Sequence, residues 1–225
     1  MNMMHAINWR RWGGIAGLIG PSLFVAIFLI EGWLRPGYNP TQMFVSELAL
    51  GARGWIQITN FLVYGVLLLL FARGLATEFA SGPGLRGGPL LLTLNGIRTI
   101  GVGLFATDPA AASLAALSGH ALLHLLLALS AFVLWPLTCV VFYRRLRVEP
   151  AWRPLAGWTL CAAAVIAGAS LLLIAGAMLP AALPTLLSAR MGLIQRSSII
   201  TFAVWQFAVA WQLLRRSYRA ARAGA

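Results

Sequence analysis

The chain has 225 residues, 60% of them hydrophobic and only 10% charged, with a mean hydropathy of +0.83. Soluble globular domains carry about 25% charged residues, so composition excludes an ordinary soluble domain and predicts an all-α integral membrane bundle. The net charge of +12 does not point to nucleic acid: the basic residues interrupt apolar runs and form no solvated patch, so the lipid bilayer and its anionic phospholipids are the expected counter-charge.

MNMMHAINWRRW leads into an apolar run, as a signal peptide does. The run exceeds about 20 residues and no small-residue cleavage site follows, so it reads as a retained first span over 13–34, closed by Glu31. The connector EGWLRPGYNPTQMFVSELALGARGW (31–55) is long for a bundle, and long ordered loops are often functional or lid-like. In it, Pro36, Gly37 and Pro40 stiffen a turn. The apolar run 43–50 suits a short helix over a chamber mouth, or a cover without chemistry. Ser46 beside Glu47 raises a nucleophile, with His120 or His124 as base and Asp108 orienting it. No GxSxG elbow is present, and the plainer reading of Ser46 is a cap or turn residue.

The second span covers 55–79 and the third 89–109, which holds GIRTIGVGLFATDP. Asn95, Arg98 and Thr99 share one helical face at i, i+3, i+4. An arginine at the bilayer centre costs upward of about 2.5 kcal/mol, so Arg98 is expected to face the bundle interior, paired or wet, with Glu31, Asn60 or Gln206 as partners. The competing reading is an arginine that snorkels from a misplaced span end.

The fourth span, 121–143, follows His120 and carries His124 one turn later. With Asp108 these can offer two nitrogens and one oxygen to a zinc-type divalent ion, though hydrogen bonding to backbone or water is the plainer reading. Haem is a weaker fit still, since adjacent turns of one helix cannot approach opposite faces of an iron. Spans five and six cover 158–183 and 197–214, and Arg190, Gln195 and Arg196 stand between them. Without water, all six spans must be helical, with Pro21, Pro136 and Pro180 as kinks or ends. Trp33, Trp55, Trp152 and Trp158 suit an interfacial aromatic belt. The spacings Gly13/Gly17, Ala16/Gly20 and Ala164/Gly168 permit close helix contact. Cys139 and Cys161 fall within spans and suggest no disulfide or metal pair.

All 17 basic residues are arginine, so no lysine Schiff base can form. Twelve of them, Arg10 and Arg11, Arg73 and Arg86, Arg144 to Arg153, and Arg215 to Arg222, fall on one side; Arg35, Arg53, Arg190 and Arg196 fall on the other. By the positive-inside rule both termini are cytoplasmic, in a bacterial inner membrane.

The pieces EGWLRPGYNP, VSELALGARGW, LFATDP, GHALLH and RMGLIQR, in this order, resemble the bacterial and archaeal membrane family known as domain of unknown function 998. The likeness runs from Gly13 to about Trp211 and departs at Ala121, where a glycine often follows the first histidine. It implies a multi-pass membrane fold and conveys no activity. The VSELALG loop is also similar to six-span eukaryotic proteins of lipid handling and autophagy.

Together these readings predict an outward-facing polar pocket for an anionic small molecule or lipid head group. Its expected ligand-binding residues are Glu31, Arg35, Glu47, Asn95, Arg98, Asp108, His120, Arg190, Gln195 and Arg196. Arg98, Arg190 and Arg196 would supply positive charge; Glu31, Asp108 and His120 would orient the ligand or exchange protons. The rivals are an intramembrane lipid hydrolase built on Asp108, His120 and His124, with or without a metal; a transporter, disfavoured by few polar residues in the inner halves of the spans; and an assembly subunit that docks a protein partner.

Overall fold

The structure, a computed structural model, describes residues 7–80, 87–108, 116–178 and 185–223. Its long helices are α1 (Trp9–Leu34), α2 (Gly54–Glu78), α3 (Gly87–Leu104), α4 (Gly119–Leu146), α5 (Ala156–Met178) and α7 (Met191–Ala223). A four-residue turn of helix, α6 (Thr185–Ser188), precedes α7, and 3-10 turns cover Val45–Ala49 and Arg153–Leu155. Two starts are capped by side chains: Asn8 accepts from Arg11 N at 3.1 Å, and Ser118 from Ala121 N at 3.1 Å. Five of these long helices are apolar and long enough to cross a membrane. The sixth, α3, has 18 residues, about 27 Å, and Asn95 and Arg98 reduce its apolar character. It stops at Leu104, short of the expected 109. The last helix instead begins six residues before 197 and runs on through the arginines, which are good helix formers. Arg86, Pro180 and the far end of the expected fifth span lie outside the described residues.

The main packed pairs are α1–α2, α2–α3, α3–α4, α4–α5, α5–α7 and α7–α1, so the helices close a ring in chain order. Side chains identify its two ends. At one, Glu78 at the end of α2 takes Arg10 at 3.1 Å and Arg216 at 2.5 Å, and the Trp152 indole N–H lies 3.4 Å away. At the other, Arg53 pairs with Glu31, His124 meets Phe105, and Gln195 meets Val45. Neighbouring helices therefore run antiparallel, and the start of α1 and the end of α7 share the Glu78 end.

Large aromatic side chains fill the ring: Phe28, Phe71, Phe142, Phe202 and Trp205 are fully buried. Leu23, Leu29, Leu126 and Leu171 point outward, an apolar surface that suits lipid and not water. Trp33 and Trp55 are exposed near one end, as an interfacial belt requires, but Trp152 is buried against Phe79 with ring centroids 5.1 Å apart. Close approach explains two glycines. A Cβ on Gly13 would stand 2.6 Å from the Gly74 Cα, whereas one on Gly168 would meet nothing within 4 Å. The Gly13 spacing is thus a helix contact; Ala164 and Gly168 face outward. Pro21 lies within α1 and lacks the N–H that would bond Gly17 O. Gln206 on α7 donates to that carbonyl at 3.5 Å, tying the two helices at the defect.

Candidate functional site

A cavity opens inside the ring, near the Glu31 end. Its wall comes from α1 (Phe24), α2 (Phe61, Tyr64), α3 (Arg98, Thr99, Val102), α4 (His124 to Trp135) and α7 (Gln195, Ile199), with Val45 and Ser46 of the first connector also lining it. The cavity has a volume of about 60 Å³. That holds several waters as it stands.

Arg98 enters this space from the expected face of α3 and is only 8% exposed. Its guanidinium lies over the Trp135 ring at 5.3 Å. It donates from Nη1 to Leu127 O at 3.3 Å and from Nη2 to Thr99 Oγ1 at 3.2 Å, while Nε has no partner. Thr99 is itself anchored, donating to Asn95 O at 2.7 Å. Asn95 sits one turn deeper, outside the cavity, and reaches Thr138 Oγ1 on α4 at 3.1 Å.

No carboxylate answers the cation. The chain has five acidic residues, all described, and each is engaged elsewhere. Glu31 pairs with Arg53 and stands 4.0 Å from Arg35; Glu78 takes Arg10 and Arg216. Glu149 pairs with Arg145 at 2.7 Å, Glu47 accepts from Phe44 N at 2.6 Å, and Asp108 accepts from Ser118 N and Oγ at 2.7 and 3.0 Å. The other partners expected for Arg98 are also committed: Asn60 donates to Phe24 O at 3.1 Å, and Gln206 accepts from Tyr64 at 2.8 Å. A desolvated cation with only neutral acceptors is costly, and Nε, without a partner among the described residues, adds to that cost.

His124 supplies the second unanswered group. Its Nδ1 is 2.7 Å from Phe105 O. A carbonyl can only accept, so Nδ1 carries the proton, and in the neutral form of the ring Nε2 is an acceptor. Nε2 is buried and has no partner. His120, one turn earlier, is exposed and meets the Phe105 ring edge-on at 5.7 Å. Asp108, His120 and His124 thus hold three different local contacts, and no cluster of three or more His, Cys, Asp or Glu side chains suited to a metal occurs among the described residues.

The outer arginines have another task. Arg35 donates to Glu47 O and Leu50 O at 3.3 and 3.0 Å. Arg196 donates to Pro40 O, Met43 O and Gly192 O at 2.7 to 3.0 Å, and to the Tyr38 hydroxyl. Gly192 allows this approach, since a Cβ there would lie 2.6 Å from Met43 O. Burial pushes the Tyr38 phenol above its ordinary pKa, keeping it a donor to Phe44 O at 3.0 Å. Gln195 accepts from Val45 N at 2.8 Å. The connector is therefore a stapled roof. Arg190 is exposed and takes no part in it.

Of the residues expected from sequence to bind or react, the cavity brings together Arg98, His124, Ser46 and Gln195. Glu31, Arg35, Glu47, Asn95, Asp108, His120, Arg190 and Arg196 do not line it. Tyr64, Phe132 and Trp135 do, and sequence reading passed over them, because aromatic residues in an apolar helix carry no mark of facing a cavity.

No curated protein and no solved structure matches the chain. The family model described as "Protein of unknown function (DUF998)" matches residues 18–212. That range contains the whole cavity wall and the roof, and the chain belongs to the DUF998 family, as its ordered motifs implied.

Proposed function

We propose that the chain crosses a bacterial inner membrane six times, with both termini in the cytoplasm, and holds an anionic small molecule or lipid head group in the cavity beneath its outer roof. One observation carries this reading: Arg98 lines the cavity, is buried, has no carboxylate partner, and keeps Nε without a partner among the described residues. An anion supplied by a ligand would provide the missing counter-charge. Native mass spectrometry of protein purified in neutral detergent should reveal a bound acidic species, and Arg98→Gln protein of unchanged melting temperature should lack it. Identical adducts on both proteins would sink the proposal.

A lipid hydrolase is the second reading. It is favoured by Ser46 and His124 lining the same cavity, with Phe105 O fixing the histidine tautomer a general base needs. Ser46 and His124 are not hydrogen-bonded to each other. Release of fatty acid from added phospholipid, abolished by Ser46→Ala, would favour this reading over binding alone.

A further inference from the structure

The two unanswered groups of the cavity differ in kind. Arg98 Nε is a donor on a cation, and His124 Nε2 is an acceptor on a neutral ring. They belong to adjacent helices. Arg98 Nη1 bonds Leu127 O, which lies about one turn along α4 from His124. A ligand that satisfies both must present a negatively charged oxygen and, beside it, a hydrogen-bond donor. The cavity wall holds one cation and no carboxylate. A zwitterionic head would leave its ammonium unpaired, and a dianion would leave one charge over, so the head carries a single negative charge. Most of the remaining wall is apolar, with Phe24, Phe61, Val102, Phe132, Trp135 and Ile199 its largest parts, which suits an apolar body.

We infer that the ligand is an amphiphile with a singly ionised phosphate-monoester head. Its P–O⁻ oxygen accepts from Arg98 Nε, and its remaining P–OH donates to His124 Nε2. This rests on the binding reading above and sharpens it to a head-group class. A phosphodiester lacks the O–H and leaves His124 unanswered; free inorganic phosphate has the O–H but leaves the aromatic wall uncovered.

Binding of dodecyl phosphate, methyl dodecyl phosphate and inorganic phosphate to the full chain in maltoside micelles tests this by calorimetry. Dodecyl phosphate should bind about tenfold or more tightly than the diester, the effect of one hydrogen bond to a buried acceptor, and likewise more tightly than inorganic phosphate. His124→Leu should remove the monoester's advantage over the diester, and His124→Gln, whose amide oxygen can accept, should restore part of it. Equal affinity for monoester and diester overturns the inference. Equal affinity for inorganic phosphate also overturns it, assigning the site to a free anion. These failures differ from failure of the binding reading itself, in which Arg98→Gln protein of wild-type melting temperature would bind all three probes as the wild type does.

Discussion

At the residue scale, stability and ligand recognition conflict at Arg98. Its hydrogen bonds go only to a carbonyl and a hydroxyl. Replacing a buried ion pair by apolar side chains of similar size is often neutral or stabilising by about 1–4 kcal/mol, and Arg98 lacks even the partner charge of such a pair. Arg98→Leu is therefore expected to hold or raise the melting temperature of ligand-free protein while losing anion binding. A fall of several degrees would show that the neutral contacts already stabilise the charge. Arg196 should behave in the opposite way. It donates to three carbonyls and the Tyr38 hydroxyl from a planar fork that lysine cannot copy. Arg196→Lys is expected to cost about 2–4 kcal/mol and to speed hydrogen exchange at residues 38–48, measured by mass spectrometry. Unchanged exchange there would mean the roof is held without it.

At the element scale, the helix pairs differ in how closely their backbones meet. The α1–α2 contact at Gly13 and Gly74 leaves no room for a methyl group, while Gly168 on α5 faces open space. Gly13→Ala should destabilise by about 1–3 kcal/mol, the usual result of overpacking, and Gly168→Ala should be neutral or slightly stabilising through helix propensity. Thermal melts of both variants give the comparison; equal melting temperatures would contradict the packing described for α1 and α2. The roof differs again from the helices. Its backbone groups are met by side chains of Arg35, just past α1, and of α7 and not by a regular ladder, so its order depends on those few bonds.

At the scale of the molecule, the closed ring holds its cavity, with Arg98 and His124, near one end. Further in, the core includes Leu68, Phe71, Cys139, Phe142 and Phe202, all buried. Orientation can be measured in cells. In a Cys139→Ser, Cys161→Ser background, Pro36→Cys should react with an impermeant maleimide from outside, and Arg219→Cys only after permeabilisation. The reverse pattern would invert the assignment of the roof to the periplasmic face.

The sequence by itself determined the membrane class, the helical character and the approximate place of each long helix. Bilayer thickness and unsatisfied backbone groups leave no other solution for apolar runs of this length. It also singled out Arg98, because a charge inside such a run is conspicuous wherever it lands. Only the tertiary structure decided which polar groups answer one another. Glu31, Arg35, Arg53, Arg196 and Asp108 share the outer end with the cavity, yet each is consumed by a local contact that closes the roof or caps a helix. Among the described residues that line the cavity, Arg98 and His124 alone keep a buried atom without a partner. Linear spacing places a residue on a helix face, but whether its last hydrogen bond is met depends on neighbours up to 158 positions away, and those distances exist only once the ring has closed.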